Sequence, residues 1–272
     1  MKLSDARIVL TGATGGIGQA TARELLRAGA TLLLVARSDA ALESFTRDLH
    51  GEGVAASRLN WLSADITRAA DRDRLAVEAR RLGCNVVIHN AGQPSFGRLQ
   101  DQDPVGIESV LQTNLMAPML LTQALLPHFQ ALPQARIVFV GSVLGSIGLP
   151  GYSVYGASKF GIHGFAQALR RELQGSGVGV QYIGPRTTDT GFNNAAVQAY
   201  NRSTGTAQDS PALVARAIAR LIHDGAPERL LGYPEKLAAR LNGVAPGLLD
   251  GGFRRHRDAL LEQLPAMSAA RS

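Results

Sequence analysis

An apolar strand at residues 6–11 runs into a glycine-rich turn, a helix follows to about residue 28, and a second apolar strand occupies 31–36. The run is Ala-Arg-Ile-Val-Leu-Thr-Gly-Ala-Thr-Gly-Gly-Ile-Gly over residues 6–18. Strand, helix and strand over so short a span make one βαβ unit, which forces a parallel strand pair. Glycines at 12, 16 and 18 let the turn be tight and let backbone approach a pyrophosphate at the helix N-terminus. With 30 glycines in the chain, accidental spacings are common. The placement after a strand and before a helix carries the inference.

The same alternation continues. Apolar segments near 59–64, 85–90, 135–141, 178–183 and 228–232 read as strands, and 39–50, 68–82, 104–130, 153–175 and 209–223 read as helices. Strands separated by helices give an α/β fold, a doubly wound parallel sheet of about seven strands with helices on both faces. The 272 residues suit one large domain, set at residues 1–235, with a C-terminal extension at 236–272 that is helical and then disordered. No apolar run approaches the roughly 20 residues of a membrane span. The N-terminus has no signal-peptide core. A single cysteine, Cys84, excludes an internal disulfide framework and fits a reducing cytoplasm. The net charge of +6 is spread over dispersed arginines without a basic aromatic module, so nucleic acid is not the expected partner. No metal site is assigned.

Tyr155-Gly-Ala-Ser-Lys159, with Ser142 13 residues upstream, carries the chemistry. A phenol has an unperturbed pKa of about 10. One helical turn brings Lys159 onto the same face, where its charge favours phenolate; a shift from about 10 to about 7 takes roughly 4 kcal/mol. A tyrosine tuned in this way can exchange a proton with a substrate oxygen. Five Tyr and three Lys in the chain make an accidental pairing at this spacing rare.

Thr11-Gly12-x-x-x-Gly16-x-Gly18, Asn90-Ala91-Gly92, Asn114, Ser142 and Tyr155-x-x-x-Lys159 together resemble the signature of the short-chain dehydrogenase/reductase family, in its compact single-domain branch. The resemblance covers roughly residues 5–235 and implies a Rossmann-like fold. It implies that Tyr155 is general acid or base, that Ser142 holds the substrate oxygen, and that Lys159 binds the nicotinamide ribose and lowers the tyrosine pKa. Asn114, mid-helix where asparagine is unfavourable, would hold a water in a proton relay. Cofactor contacts are implied for Gly12, Thr14, Gly16, Ile17 and Gly18, for Asp65 and Ile66 at adenine, for Asn90, Ala91 and Gly92 at the adenosine ribose, and for Tyr155 beside Lys159. Pro185, Thr188 and Thr190 would hold the nicotinamide carboxamide. Residues 187–208 would form a substrate lid.

At the end of the second strand, NAD-preferring relatives carry an acid that binds the ribose hydroxyls. This chain has Ala36, followed by Arg37, whose guanidinium can bind a 2′-phosphate, with Ser38 and Thr14 as further donors. The expected cofactor is NADP(H). The expected reaction interconverts a small-molecule carbonyl and a secondary alcohol. A 3-oxoacyl thioester or lipid-like ketone is the alternative substrate. A non-catalytic dinucleotide sensor is the alternative of another class, opposed by the intact Ser142, Tyr155 and Lys159. The resemblance also implies a homodimer or homotetramer built on the long helices.

Two positions depart from the family pattern. His89 replaces a usual Asn and is expected to hydrogen-bond structurally. Arg186 replaces the glycine that usually follows Pro185, and it could reshape the lid, meet substrate or phosphate, or point to water. In the extension, apolar Phe253, Leu260, Leu261 and Leu264 with Arg254, Arg255 and Arg257 suit one helical face with basic flanks. Such a face could meet a partner subunit, cover the substrate entrance or rest on an acidic membrane.

Overall fold

The computed structural model of the chain describes residues 1–233 and 235–263. Strands β1 (Arg7–Thr11), β2 (Thr31–Ala36), β3 (Leu59–Ser63), β4 (Val86–His89), β5 (Ala135–Val140), β6 (Val178–Gly184) and β7 (Glu228–Leu230) form one sheet. Its order is β3-β2-β1-β4-β5-β6-β7, and all neighbours are parallel. The chain winds outward from β1 to β3, then returns to place β4 on the other side of β1. That reversal opens a crevice at the C-terminal ends of β1 and β4, where ligands of such sheets bind.

Side-chain alternation divides the core. Ile8 and Leu10 of β1 pack with α1 (Gly16–Arg27), α2 (Asp39–Gly51) and α8 (Pro211–Asp224) on one face. Val9 packs on the other, with α3 (Ala69–Arg81), α5 (Ala117–Gln130) and α6 (Ser153–Glu172). Each fully buried Leu or Ile contributes roughly 1.5–3 kcal/mol, so the near-continuous apolar strands fix the sheet in the middle layer. Local signals set the helix starts. Ser38 accepts from the Ala41 N–H at 3.2 Å, and Asp103 accepts from the Gly106 N–H at 3.1 Å ahead of Pro104.

The helix expected over 104–130 is interrupted. α4 (Pro104–Leu111) and α5 flank a π-helical turn at Gln112–Met116 that contains Asn114. Ala117 bonds the Gln112 carbonyl five residues back. Pro118, lacking an N–H, cannot make the ordinary α-helical bond to the Asn114 carbonyl, which favours the wider turn. In the lid segment, α7 (Ala195–Thr204) is capped by Asn194 and ended by Gly205 at φ +70°. Beyond β7 come α9 (Glu235–Val244) and α10 (Arg254–Gln263). Among the described residues, no helix is long and apolar enough to cross a membrane.

Candidate active site

The turn after β1 is built so that backbone can lie against backbone. Gly12 has φ +64°, and a Cβ there would stand 2.8 Å from the Ala91 Cα. A Cβ on Gly18 would strike the Gly12 carbonyl. Asn90 locks the turn to the end of β4: its Nδ2 donates to the carbonyls of Thr11 at 3.2 Å and Gly12 at 3.0 Å. The Thr11 hydroxyl accepts from the N–H groups of Asn90 and Ala91 at 3.0 and 3.1 Å. Gly16 has a second reason to be glycine. A Cβ there would lie 2.5 Å from Cγ2 of Thr190, so the segment after β6 lies directly over the turn.

A single cavity of about 1160 Å³ runs along the C-terminal edge of the sheet. One end is formed by Gly12, Thr14, Gly16, Ile17 and Arg37, with Asp65, Ile66, Asn90, Ala91 and Gly92 beside them. Ser142, Tyr155 and Lys159 stand in the middle, with Pro185, Thr188 and Thr190 opposite. Three expected residues are not in the wall. Gly18 is packed beneath the turn. The Ser38 hydroxyl accepts from Ala41 as the α2 cap, so its place is set by the helix and not by the cavity. Asn114 sits behind the wall, with Oδ1 accepting from the Gln93 N–H at 2.7 Å and Nδ2 donating to the Gln93 carbonyl at 2.9 Å and Ser158 Oγ at 3.1 Å. Both amide hydrogens are therefore taken up by protein. A Cβ on Gly92 would lie 3.3 Å from Asn114 Oδ1 and 3.8 Å from Lys159 Nζ, which makes glycine the residue that leaves room between them.

The electrostatics correct one expectation. Burial pushes the Tyr155 phenol up to about 12, and its hydrogen bond with the Ser142 side chain offsets this in part. Burial likewise pushes the Lys159 ammonium down to about 8. In the protein alone, Lys159 does not lower the tyrosine. Its Nζ lies 5.5 Å above the Tyr155 ring and donates to the Val140 carbonyl at 3.3 Å. Desolvation penalises phenolate and ammonium alike, so both groups are driven toward their neutral forms. Asp65 is held below the usual carboxylate range; burial acts against this, but hydrogen bonds from Thr67 and the charges of Arg37 and Arg68 outweigh it.

His89 is buried, stacks on Phe139 at 4.9 Å and pairs with the Thr122 hydroxyl at 2.9 Å. Burial depresses it to about 3, so it is neutral and structural in these contacts. Arg186 lines the cavity and is paired with carboxylates of its own chain. It forks onto Asp209 Oδ1 at 2.8 and 2.9 Å and reaches Glu235 Oε1 at 3.5 Å. One cation thus joins Asp209, just ahead of α8, to the start of α9. Asp209 is 5% exposed, and losing its partner would leave a buried charge. Arg186→Ala should cost about 3–5 kcal/mol. Urea denaturation measures it, and a loss below 1 kcal/mol would mean that the pairing of Arg186 with Asp209 does not hold these segments together.

The far end of the cavity is aromatic, and sequence reasoning missed most of it. Phe96 meets Tyr152 and Tyr200 at 5.0 Å each, and Phe192 packs edge-on to Tyr155 at 6.3 Å. The terminal helix closes this end. Ala259 and Leu260 bury themselves against Tyr200, Phe96 and Tyr152. His256 Nδ1 pairs with the Tyr200 hydroxyl at 2.8 Å, and Phe253 and His256 line the cavity. Within its own chain, α10 packs over the aromatic end of the cavity. Leu261 faces outward at 52% exposure, contrary to the single-face expectation. Leu264 and the expected disorder of 265–272 lie outside the described residues. Removing everything after Gly252 uncovers two apolar side chains' worth of contact, roughly 2–3 kcal/mol, so the KM for a carbonyl substrate should rise about tenfold or more. Dinucleotide affinity should not change. An unaltered KM would make α10 a bystander.

The family model described as short chain dehydrogenase matches residues 6–201. The chain belongs to the short-chain dehydrogenase/reductase family and is an enzyme of the oxidoreductase class. It is similar to the dehydrogenase/reductase SDR family member 7B of Bos taurus, with 34% identity over 259 residues, covering 90% of this chain and 79% of that protein. It is also similar to the ketoacyl reductase HetN of a Nostoc species, with 30% identity over 261 residues, covering 93% and 89%. Among solved structures, a short-chain dehydrogenase from Sphingobium yanoikuyae in complex with NADPH superposes with a TM-score of 0.76 at 29% identity, covering 90% of this chain and 95% of that one. One from Burkholderia phymatum in complex with NAD gives 0.82 at 22% identity, covering 91% and 96%, a likeness of fold alone.

Proposed function

We propose that the protein is an NADP(H)-dependent reductase of ketones, with Tyr155 as the proton donor to the carbonyl oxygen. The observation that carries this reading is the convergence of Ser142, Tyr155 and Lys159 on the wall of one cavity that continues to Gly12 and Arg37. A dinucleotide fits that cavity. Gly12 and Gly16 let the turn after β1 pack closely against Ala91 and Thr190, and the α1 N-terminus lies beside that turn for the pyrophosphate. When bound, the dinucleotide supplies a hydride from its nicotinamide ring. Asp65 and Ile66 would border adenine, Asn90 and Ala91 its ribose, and Thr188 and Thr190 the carboxamide. Arg37 is exposed at the cavity rim, where it would meet a 2′-phosphate.

The chain's own part is proton transfer and positioning. Ser142 holds the carbonyl oxygen beside the phenol. Tyr155 is fully protonated near neutrality, since burial raises its pKa to about 12, and it gives its proton to the oxygen as the carbonyl carbon is reduced. Lys159, with a pKa near 8, returns a proton to the phenolate. Asn114 Oδ1, through its remaining lone pair, receives the water that links Lys159 to solvent. Reductive kcat/KM should therefore hold level up to about pH 8 and fall above it as Lys159 loses its proton. A profile level to pH 10 would remove Lys159 from the relay.

The aromatic far wall of Phe96, Tyr152, Phe192 and Tyr200 favours a ketone with a bulky apolar body. A 3-oxoacyl thioester or lipid-like ketone is the second reading, supported by the likeness to a ketoacyl reductase. For assembly as a homodimer or homotetramer, the exposed Val105, Met116 and Phe160 along α4 to α6 are the apolar face we assign to the partner copy. Reduction of a panel of ketones, aldehydes and acyl thioesters, followed by NADPH consumption with NADH in parallel, tests the reading. Activity with at least one ketone is expected, and inertness toward the whole panel would sink it.

A further inference from the structure

Tyr182 of β6 is wholly buried and does not line the cavity, yet both hydrogen bonds of its hydroxyl go to one residue, Ser142. The hydroxyl donates to the Ser142 carbonyl at 2.8 Å and accepts from the Ser142 N–H at 3.1 Å. The segment is shaped around this ring. A Cβ on Gly141 would collide with the ring carbon bearing the hydroxyl, and a Cβ on Gly145 would collide with the hydroxyl itself. The two glycines that bracket Ser142 are thus the space into which the tyrosine is inserted.

The other face of the ring is held as firmly. His163 of α6 stacks on it at 4.1 Å and 15°. That imidazole is fixed in turn by the Gly145 carbonyl at 3.1 Å, the Ser146 hydroxyl at 3.2 Å and Glu228 of β7 at 3.2 Å. The Ser142 N–H has the Tyr182 hydroxyl as its partner, while the Ser142 carbonyl also accepts from the Gly145 N–H at 3.0 Å. The Ser142 hydroxyl itself accepts from the Leu144 N–H at 3.1 Å, which aims its hydrogen toward the Tyr155 hydroxyl and the place a carbonyl oxygen would take beside it.

We propose that Tyr182 is a positioning residue for catalysis, fixing the Ser142 main chain so that the Ser142 hydroxyl points at the substrate carbonyl. This rests on the reading that Ser142 binds the substrate oxygen. Tyr182 touches neither substrate nor cofactor and acts through Ser142 alone. Gly141 and Gly145 are small because the clamp occupies their side-chain space.

A double-mutant cycle tests the idea with the full-length enzyme and its best ketone. Tyr182→Phe keeps the ring and removes both bonds. It should lower kcat about tenfold, the kinetic equivalent of one lost hydrogen bond of ordinary strength, with dinucleotide Kd unchanged. In a Ser142→Ala background the same change should cost nothing further. Equal losses in both backgrounds would mean simple packing and overturn the proposal, as would full activity of Tyr182→Phe. Failure of the underlying reading shows separately, because Ser142→Ala alone would then keep normal turnover. If Tyr182→Phe does not bind dinucleotide, a second pair of variants decides. With Tyr182→Ala, a side chain at position 141 can enter the vacated space, so Gly141→Ser should exceed Gly141→Ala in kcat. Equal kcat in that pair would overturn the clamp.

Discussion

Tyr155→Phe is expected to lower carbonyl reduction by 10²–10⁴-fold, the usual worth of a positioned general acid. The substitution removes one hydroxyl and keeps the ring that packs against Phe192 at 6.3 Å, so the fold and cavity shape are retained. Dinucleotide affinity should persist within about twofold, because the glycine turn and the Arg37 rim are untouched; a lost contact of ordinary strength would cost more. The effect belongs in kcat and kcat/KM equally, as for a contact made only in the transition state. A variant with near-normal turnover would remove Tyr155 as proton donor.

The second large effect concerns the cofactor. Ala36→Asp combined with Arg37→Ala should swing kcat/KM from NADPH toward NADH by roughly 10²-fold or more. Losing one charge-assisted contact is worth about 1.5–3 kcal/mol, and the new carboxylate repels a 2′-phosphate while accepting from ribose hydroxyls. Position 36 ends β2, in register with Ser63 of β3 and half-buried at the edge of the core, and Arg37 is exposed at the cavity rim, so both changes fall at the mouth of the cavity. Steady-state kinetics with both cofactors measures the swing. A wild-type enzyme that prefers NADH would show that Arg37 serves solvent only.

Much of the frame was legible in the sequence because parallel strands and their crossover helices leave periodic traces. The seven strands and the strand-turn-helix placement of Gly12, Gly16 and Gly18 follow from apolar runs and glycine positions, whereas the strand order is set by the assembled sheet. The three-dimensional closeness of Ser142 and Tyr155 was legible only through a family pattern. Other features had no such trace. The π turn around Asn114 depends on Pro118 withholding an N–H, a signal present in the sequence but read there as part of one long helix. Ser38 also caps α2 through its hydroxyl oxygen, a role the sequence shares with the expected phosphate contact, since capping and ligand binding draw on the same residue types. The Tyr155 pKa was expected to fall beside Lys159, but helical spacing says nothing about desolvation, which raises it. The clamp of Tyr182 on Ser142 joins residues 40 apart across two strands, and the packing of α10 on α7 joins residues farther apart still. Contacts of that range are set by the assembled fold.

Deuterium transfer tests the central claim most directly. NADPH carrying deuterium at the reactive C4 position is incubated with the enzyme and its best ketone, and the alcohol product is analysed by mass spectrometry. The account predicts one deuterium bound to the carbinol carbon, with the hydroxyl proton drawn from solvent by way of Tyr155. An alcohol formed without deuterium on that carbon, or dinucleotide bound with no ketone reduced, would contradict it.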